Sequence, residues 1–390
     1  MRNAGLSGHG GAAAGTLEEE IHRLAARLGF AACGLTSAED LPCGPLLGEW
    51  LAAGRHGDMQ YLAEKHERRL RPSSVLAGAR SAVVVAWTYR ASLPPDPGWR
   101  DGLRGRVAAY ALGSDYHVHV AAKLERLAAR IAQATGGETV VHVDGGPLVE
   151  KELARRAGIG WYGRNTNLLR PGLGSSFLLG VILTSAPLAP DPPFAADHCG
   201  TCRACLPACP TGALDDGPTI DARLCISYLT IEHRGPVPPE LRARIGNWVF
   251  GCDACQDVCP WNEDVPAPHP RQFPWLPGWL AMSDAEFREN FHGTALLRPK
   301  RRGLARNAAV ALANSGNPGA VPYLARALLE HDEPLVRAHA AWGLGELGGA
   351  EARAALDAAA SREGVAPVRR EIDSAVAAAT RAAAAAPPQV

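Results

Sequence analysis

Apolar and polar positions change rhythm several times along the chain, and each change marks an element. Thr16 and Glu19 stand at capping-box spacing ahead of LEEEIHRLAARLG, whose apolar positions recur with a helical period. A second helical stretch around QYLAEKHERRL ends near Pro72. SAVVVAW, residues 81–87, is a β-branched apolar run, which predicts a strand buried on both faces. A short strand near RVAAYAL, a long helix over about 114–134, a strand in ETVVHVD ending at Asp144, a helix in EKELARRAG and a strand in SSFLLGVILTS follow. Alternation of the two periods predicts an α/β domain over 16–190, without dictating a strand order.

Beyond it the punctuation changes. APLAPDPP reads as a linker, and 191–265 carries little periodicity, as expected where inorganic centres replace an apolar core. A Pro-rich bridge is expected over 266–297. From 298 to 380 the pattern is helical and repetitive: RNAAVALANSGNPGAVPYLARAL resembles RAHAAWGLGELGGAEARAALDAA at an offset of about 32, and VRREIDSAVAAA begins a third copy. Paired helices with Gly or Asn-Pro turns predict a short HEAT-like α-helical solenoid, the alternative being an Ala-rich helical hairpin without true repetition. Residues 1–15 and 381–390 read as a disordered start and a frayed tail.

Composition narrows the class. Forty basic and forty acidic residues give a formal charge of zero, which excludes a uniformly basic nucleic-acid coat but not a local basic patch. A hydrophobic content of 47% with 21% charged residues excludes wholesale disorder and collagen-like architecture. No apolar run reaches the ~18–20 residues of a membrane span, and the start lacks a secretory h-region, so a cytoplasmic protein is expected.

Ten cysteines carry the chemistry, eight of them between Cys199 and Cys259. HCGTCRACLPACP spaces Cys199, Cys202, Cys205 and Cys209-Pro210 as a bacterial ferredoxin run, whose fourth cysteine serves the other cluster. The second run, Cys252, Cys255 and Cys259-Pro260, has Val249 where its first cysteine would stand. Cys225 in RLCISYL is the nearby candidate to complete it. The spacing therefore predicts two 4Fe–4S clusters, one on Cys199, Cys202, Cys205 and Cys259, the other on Cys209, Cys225, Cys252 and Cys255. Zinc, which also favours CxxC pairs, explains neither the triple spacing nor the two Cys-Pro endings. Cys33 and Cys43 read as a small buried hydrophobe and a bystander.

Weaker signals need their context. GIGWYG follows a helix rather than a strand, so it fails as a dinucleotide fingerprint and is expected to let backbone approach something bulky. Asp144 is either a turn-forming residue or a carboxyl group at a strand's C-terminal edge, where burial would raise its pKa enough to donate a proton. DYHVHV lacks the glycine of the cobalamin pattern DxHxxG. Arg298, Lys300, Arg301, Arg302 and Arg306 open the solenoid, either as a solvated face or as a grip on RNA phosphates.

Taken with VDGGPLVEKELARRAGIGWYGRNT and RLCISYLT, the cysteine runs and the repeats resemble the epoxyqueuosine reductases over about residues 16–378. The resemblance implies a cytoplasmic, cobalamin-dependent iron–sulfur enzyme that removes the epoxide oxygen of epoxyqueuosine at the tRNA wobble position, the last step to queuosine. It implies an α/β cobalamin-binding domain, a ferredoxin-like double-cluster segment and a HEAT-like tail facing tRNA. It also implies cobalamin bound without a protein histidine, Asp144 as proton donor, Arg69 near the cofactor, and Asn165, Ser227 and Asp253 lining it. An external electron donor and a monomer are expected. The competing readings are a cobalamin iron–sulfur reductase of a small molecule, which needs neither solenoid nor basic entry, and a non-enzymatic electron-transfer protein. A scaffold stabilised by its clusters would leave the α/β domain idle.

Overall fold

The computed structural model describes residues 15–89, 91–92, 98–144, 146–265, 269–270 and 273–385. Most of the expected disordered start, Gly145 of the loop after Asp144, and 386–390 of the tail lie outside the described residues.

Four strands form the N-terminal sheet in the order Ala32–Ser37, Ser81–Thr88, Phe177–Thr184, Thr139–His142. Every neighbouring pair is antiparallel, so the rule that places ligands at the carboxyl edge of a parallel sheet does not apply. The central strand is buried on both sides, as its unbroken apolar run requires. Val83 and Val85 face the helices Leu17–Arg27 and Tyr116–Thr135. Ala82, Val84 and Ala86 face the helix Glu150–Arg156 and its loops. Gly180 lets the long helix close in, since a Cβ there would stand 2.5 Å from the Leu124 side chain. The stretch around QYLAEKHERRL is not one helix but two short turns, Gln60–Ala63 and His66–Arg69. They are broken at Lys65, whose φ of −132° leaves the helical region.

The cysteine segment is mostly loops with short helices, and its strand Trp248–Phe250 pairs in parallel with Arg106–Val107. The Pro-rich stretch is more than a bridge. Leu276–Ala281 and Asp284–Phe291 are helices, and Leu276, Leu280, Phe287 and Phe291 join the buried core of the repeats. Pro277 sits in a first turn, where a missing N–H costs nothing. Successive repeats then start at Lys300, Pro334 and Ala366, 34 and 32 residues apart. The last helix runs to Ala385, into the tail expected to fray. Among the described residues no helix is long and apolar enough to cross a membrane.

The helix Lys300–Asn314 is buried almost all round, and its polar side chains have a definite use. Loops with few backbone ladders leave carbonyls that must find donors. Arg306 donates to the carbonyls of Leu229, His233 and Gly235 at 2.5–2.8 Å. Asn307 donates to those of Thr230 and Val249, and Asn314 to those of Arg242 and Gly246, at 2.8–2.9 Å. Two of the five cations expected on an RNA-facing surface are therefore structural. Arg306 is 0% exposed, and Arg301 is buried between Asp284 and Asp332. Arg306 points into the cysteine segment, and Arg301 toward the carboxylates of Asp284 and Asp332. Arg298, Lys300 and Arg302 remain exposed.

Arg306→Ala is expected to lower the unfolding free energy by roughly 2–4 kcal/mol, because one buried and two part-buried carbonyls lose their donor together. Urea unfolding followed by circular dichroism would read it; an unchanged midpoint would show that water replaces the guanidinium.

Candidate active site

Proximity sorts the eight clustered thiols into two groups. Cys205 has Cys199, Cys202 and Cys259 as electrostatic neighbours, and Cys259 has Cys199 and Cys202. Cys225 neighbours Cys209, Cys252 neighbours Cys225 and Cys255, and Cys255 neighbours Cys225 and Cys209. Cys255 also feels Cys205, so the two groups adjoin. Among the described residues no three ligating side chains converge closely enough for a single ion; thiolates around a cubane stand wider than thiolates around one metal. Burial pushes the Cys225, Cys252 and Cys255 thiols up, so a cation rather than water must draw off their protons.

The second group forms a wall of a cavity of about 370 Å³, lined by Cys225, Cys252 and Cys255 together with Asp144, Lys151 and Gln256. An outer cavity of about 560 Å³ shares Tyr110, Tyr116, Asp144, Ile220, Cys225 and Ser227 with it and continues to Arg298 and Lys300. Thiols, carboxylate and two exposed cations thus lie along one continuous space.

Asp144 stands where the two cavities meet. It follows the edge strand Thr139–His142 and takes a left-handed φ of 49°, a conformation that aspartate tolerates better than most residues. Its side chain is exposed to the cavity, not buried as expected, because the turn carries it off the end of the sheet. The Tyr116 hydroxyl donates to its carboxylate, and its own backbone N–H donates to Glu150 Oε1 at 2.9 Å. Asp115 caps the helix that carries Tyr116 and so fixes where that hydroxyl sits. Burial pushes the Tyr116 phenol up, and the Asp144 charge adds to it. Lys151 reaches the same space and donates to the Thr166 carbonyl at 2.9 Å. Solvent touches it through the cavity, yet protein surrounds it, and that desolvation pulls its ammonium down against the pull of Asp144 and Cys255.

Asn165, Ser227 and Asp253 all line the inner cavity. Asp253 also has a structural partner, accepting from the Ala109 N–H at 2.7 Å. Arg69 does not line that cavity; it donates to the Gly146 carbonyl at 3.2 Å and holds the far side of the Asp144 turn, while its buried Nε has no partner. Tyr116, Glu150 and Lys151 were not expected here. Only the position of EKELARRAG just after Asp144 could have flagged the last two. The glycines of GIGWYG do permit a close approach, but to the chain itself: a Cβ at Gly160 would lie 2.1 Å from the Leu169 carbonyl oxygen.

Family models match three parts of the chain: "Epoxyqueuosine reductase QueG, DUF1730" over 69–145, "4Fe-4S double cluster binding domain" over 198–262 and "HEAT repeats" over 294–377. An epoxyqueuosine reductase of Alicycliphilus denitrificans is 39% identical over 355 residues, spanning 85% of this chain and 98% of its own. The crystal structure of an epoxyqueuosine reductase with an epoxyqueuosine-modified tRNA-Tyr stem loop superposes with a TM-score of 0.87 at 32% identity, covering 93% of this chain and 99% of that one. The Bacillus subtilis enzyme, with an aspartate catalytic loop swung out of the active site, gives a TM-score of 0.83 at 31% identity over 93% and 98%.

Burial first, and the Asp144 charge second, push the Glu150 carboxyl up to about 8. Since it ionises near 4.5 in an unfolded chain, folding takes up a proton between those values. That contribution to stability is complete below about 4.5 and is lost as the pH rises through about 8. Glu150→Gln, which cannot ionise, is expected to flatten this fall in melting temperature against pH; an unaltered slope would place the proton elsewhere.

Proposed function

The chain belongs to the epoxyqueuosine reductase family, and from that premise we propose that it removes the epoxide oxygen of epoxyqueuosine at the wobble position of tRNA, leaving queuosine. The observation that carries this reading is the continuous space with cluster-ligand cysteines on its inner wall, Asp144 at its waist and cations at its outer end. A small-molecule reductase would need only the inner part.

When bound, two 4Fe–4S clusters would supply one-electron transfer and cobalamin the reducing power for the epoxide. Cys199, Cys202, Cys205 and Cys259 would hold one cluster, and Cys209, Cys225, Cys252 and Cys255 the other. Asn165, Asn167, Gln256, Ser175 and Ser227 on the inner cavity offer hydrogen bonds to the amide fringe of a macrocycle whose bulk would reach into the outer cavity.

The overall change breaks both carbon–oxygen bonds of the epoxide, forms a carbon–carbon double bond and releases water, taking up two electrons and two protons. Asp144 delivers a proton to the departing oxygen. Tyr116 holds that carboxyl group toward the cavity, and Glu150 and Arg69 pin the turn behind it on either side. Substrate entering the outer cavity displaces water from Asp144, supplying the burial that the free chain lacks. Lys300 meets the phosphates beside the modified nucleotide, next to Arg298, which is paired with Glu232. Electrons from an external donor enter on the Cys202 side, because Cys202 is exposed while the other seven ligands are partly or fully buried.

The deciding experiment reconstitutes the chain anaerobically with iron, sulfide, cobalamin and a strong reductant, and adds an epoxyqueuosine-bearing anticodon stem loop. Mass spectrometry of the digested nucleosides should show loss of one oxygen, dependent on cobalamin; no loss from a fully loaded enzyme would sink the reading. Asp144→Asn is expected to bind the stem loop as the parent does and to lose at least a hundredfold in turnover, the low end of what a positioned general acid contributes. Lys300→Ala is expected to weaken stem-loop binding and reduce the slope of log affinity against log salt by about one phosphate contact. An unchanged slope would remove Lys300 from the interface.

A further inference from the structure

We propose that the indole N–H of Trp161 donates a hydrogen bond to a sulfur of the cluster held by Cys199, Cys202, Cys205 and Cys259, and so raises that cluster's reduction potential. The proposal rests on the reading that a 4Fe–4S cluster occupies this cysteine group.

Trp161 is 3% exposed, and its Nε1 is a buried polar atom with no hydrogen-bond partner. Native proteins seldom bury a donor without an acceptor, so an orphaned N–H points at one that the protein chain itself does not supply. The surroundings limit what it is. Trp161, Leu169 and Cys259 form one buried group, against which Cys199, Phe194 and Trp261 pack. The ring centroids of Phe194, His198 and Trp261 lie 5.5, 4.9 and 5.1 Å from that of Trp161. His198 directly precedes Cys199, and Trp261 follows Cys259-Pro260. The indole is thus enclosed between two candidate ligands of one cluster, and since its Nε1 makes no hydrogen bond to the neighbouring His198 ring, the acceptors that remain there are sulfurs.

Its position is also built in. The strand Trp161–Tyr162 pairs with Leu168–Leu169, and the bare Cα of Gly160 lets the two backbones meet. The glycines of GIGWYG therefore serve to seat this indole. Adding an electron to a cluster increases the negative charge on its sulfurs, and a donor aimed at them favours the reduced state. This cluster lies on the exposed, Cys202 side, where electrons enter. A raised potential there lets a modest donor load the relay.

Trp161→Phe keeps the ring and removes the N–H. Iron and sulfide content of the parent protein is measured first: fewer than two clusters would overturn the functional reading and this proposal with it, whereas a loaded pair leaves the proposal to be judged on the potentials alone. In a titration monitored by electron paramagnetic resonance, one midpoint potential should fall in Trp161→Phe while the other stays. A tenfold loss in the reduced-to-oxidised ratio at fixed poise corresponds to ~59 mV. Trp261→Phe trims the same enclosure without touching the orphaned donor and should leave both potentials in place. Unchanged potentials in Trp161→Phe, or an equal fall in Trp261→Phe, would overturn the proposal. Should Trp161→Phe not hold its clusters, the Trp261→Phe protein carrying tryptophan isotope-labelled at the indole nitrogen decides: a hyperfine coupling from that nitrogen to the reduced cluster supports the bond, and its absence refutes it.

Discussion

Each thiol group draws on both cysteine runs: Cys259 crosses to the first three cysteines, and Cys209 crosses to Cys225, Cys252 and Cys255. This grouping gathers loops that have almost no backbone ladder of their own. Their carbonyls still need donors, and the nearest regular element supplies them. Arg306, Asn307 and Asn314, on a largely apolar helix, donate to seven carbonyls between Leu229 and Val249, in loops, short helices and a strand. The first repeat helix is therefore part of the cluster scaffold, and the solenoid is continuous with it through a shared core that includes Val249, Phe250, Leu304 and Ala308.

That scaffold explains where the reaction space lies. Parallel pairing of Trp248–Phe250 with Arg106–Val107 draws the cysteine segment against the sheet domain. The inner cavity opens along the seam, with thiols from one side and Asp144, Glu150 and Lys151 from the other. Asp144 is held by contacts that tolerate motion, namely a phenol, a backbone amide and a left-handed turn, rather than by packing. Such a hold lets the carboxyl group adjust to what enters the cavity.

Much of the chemistry was legible along the chain because it is local. Cysteine spacing reflects the bite of a cluster, and a three-residue step is the same on paper as in space. The buried strand at 81–87, the long helix after Asp115 and the repeat period near 32 were equally readable, being set by side-chain periodicity. The strand Ala32–Ser37 escaped notice, since ACGLTS is short and has one β-branched residue. The helix Leu276–Ala281 was hidden because prolines read as punctuation whether they break a helix or begin one, and Asp284–Phe291 went unread although Ser283 and Glu286 stand at capping-box spacing.

What the amino-acid order determined by itself, then, was the double 4Fe–4S segment, the kinds of segment on either side of it and the candidacy of Asp144, read from neighbours and short repeats along the chain. Tertiary structure alone decided the antiparallel sheet, the outward turn of Asp144 and the company of Tyr116 and Lys151, because these depend on contacts between distant segments. It also divided one run of basic residues by use. Arg298, Lys300 and Arg302 are exposed, Arg298 paired with Glu232 and Arg302 donating to the Arg234 carbonyl, while Arg301 and Arg306 are buried among carboxylates and carbonyls respectively. A formal charge is the same in either place. Only the surrounding carbonyls, carboxylates or water determine whether it stabilises the fold or remains free to meet a phosphate.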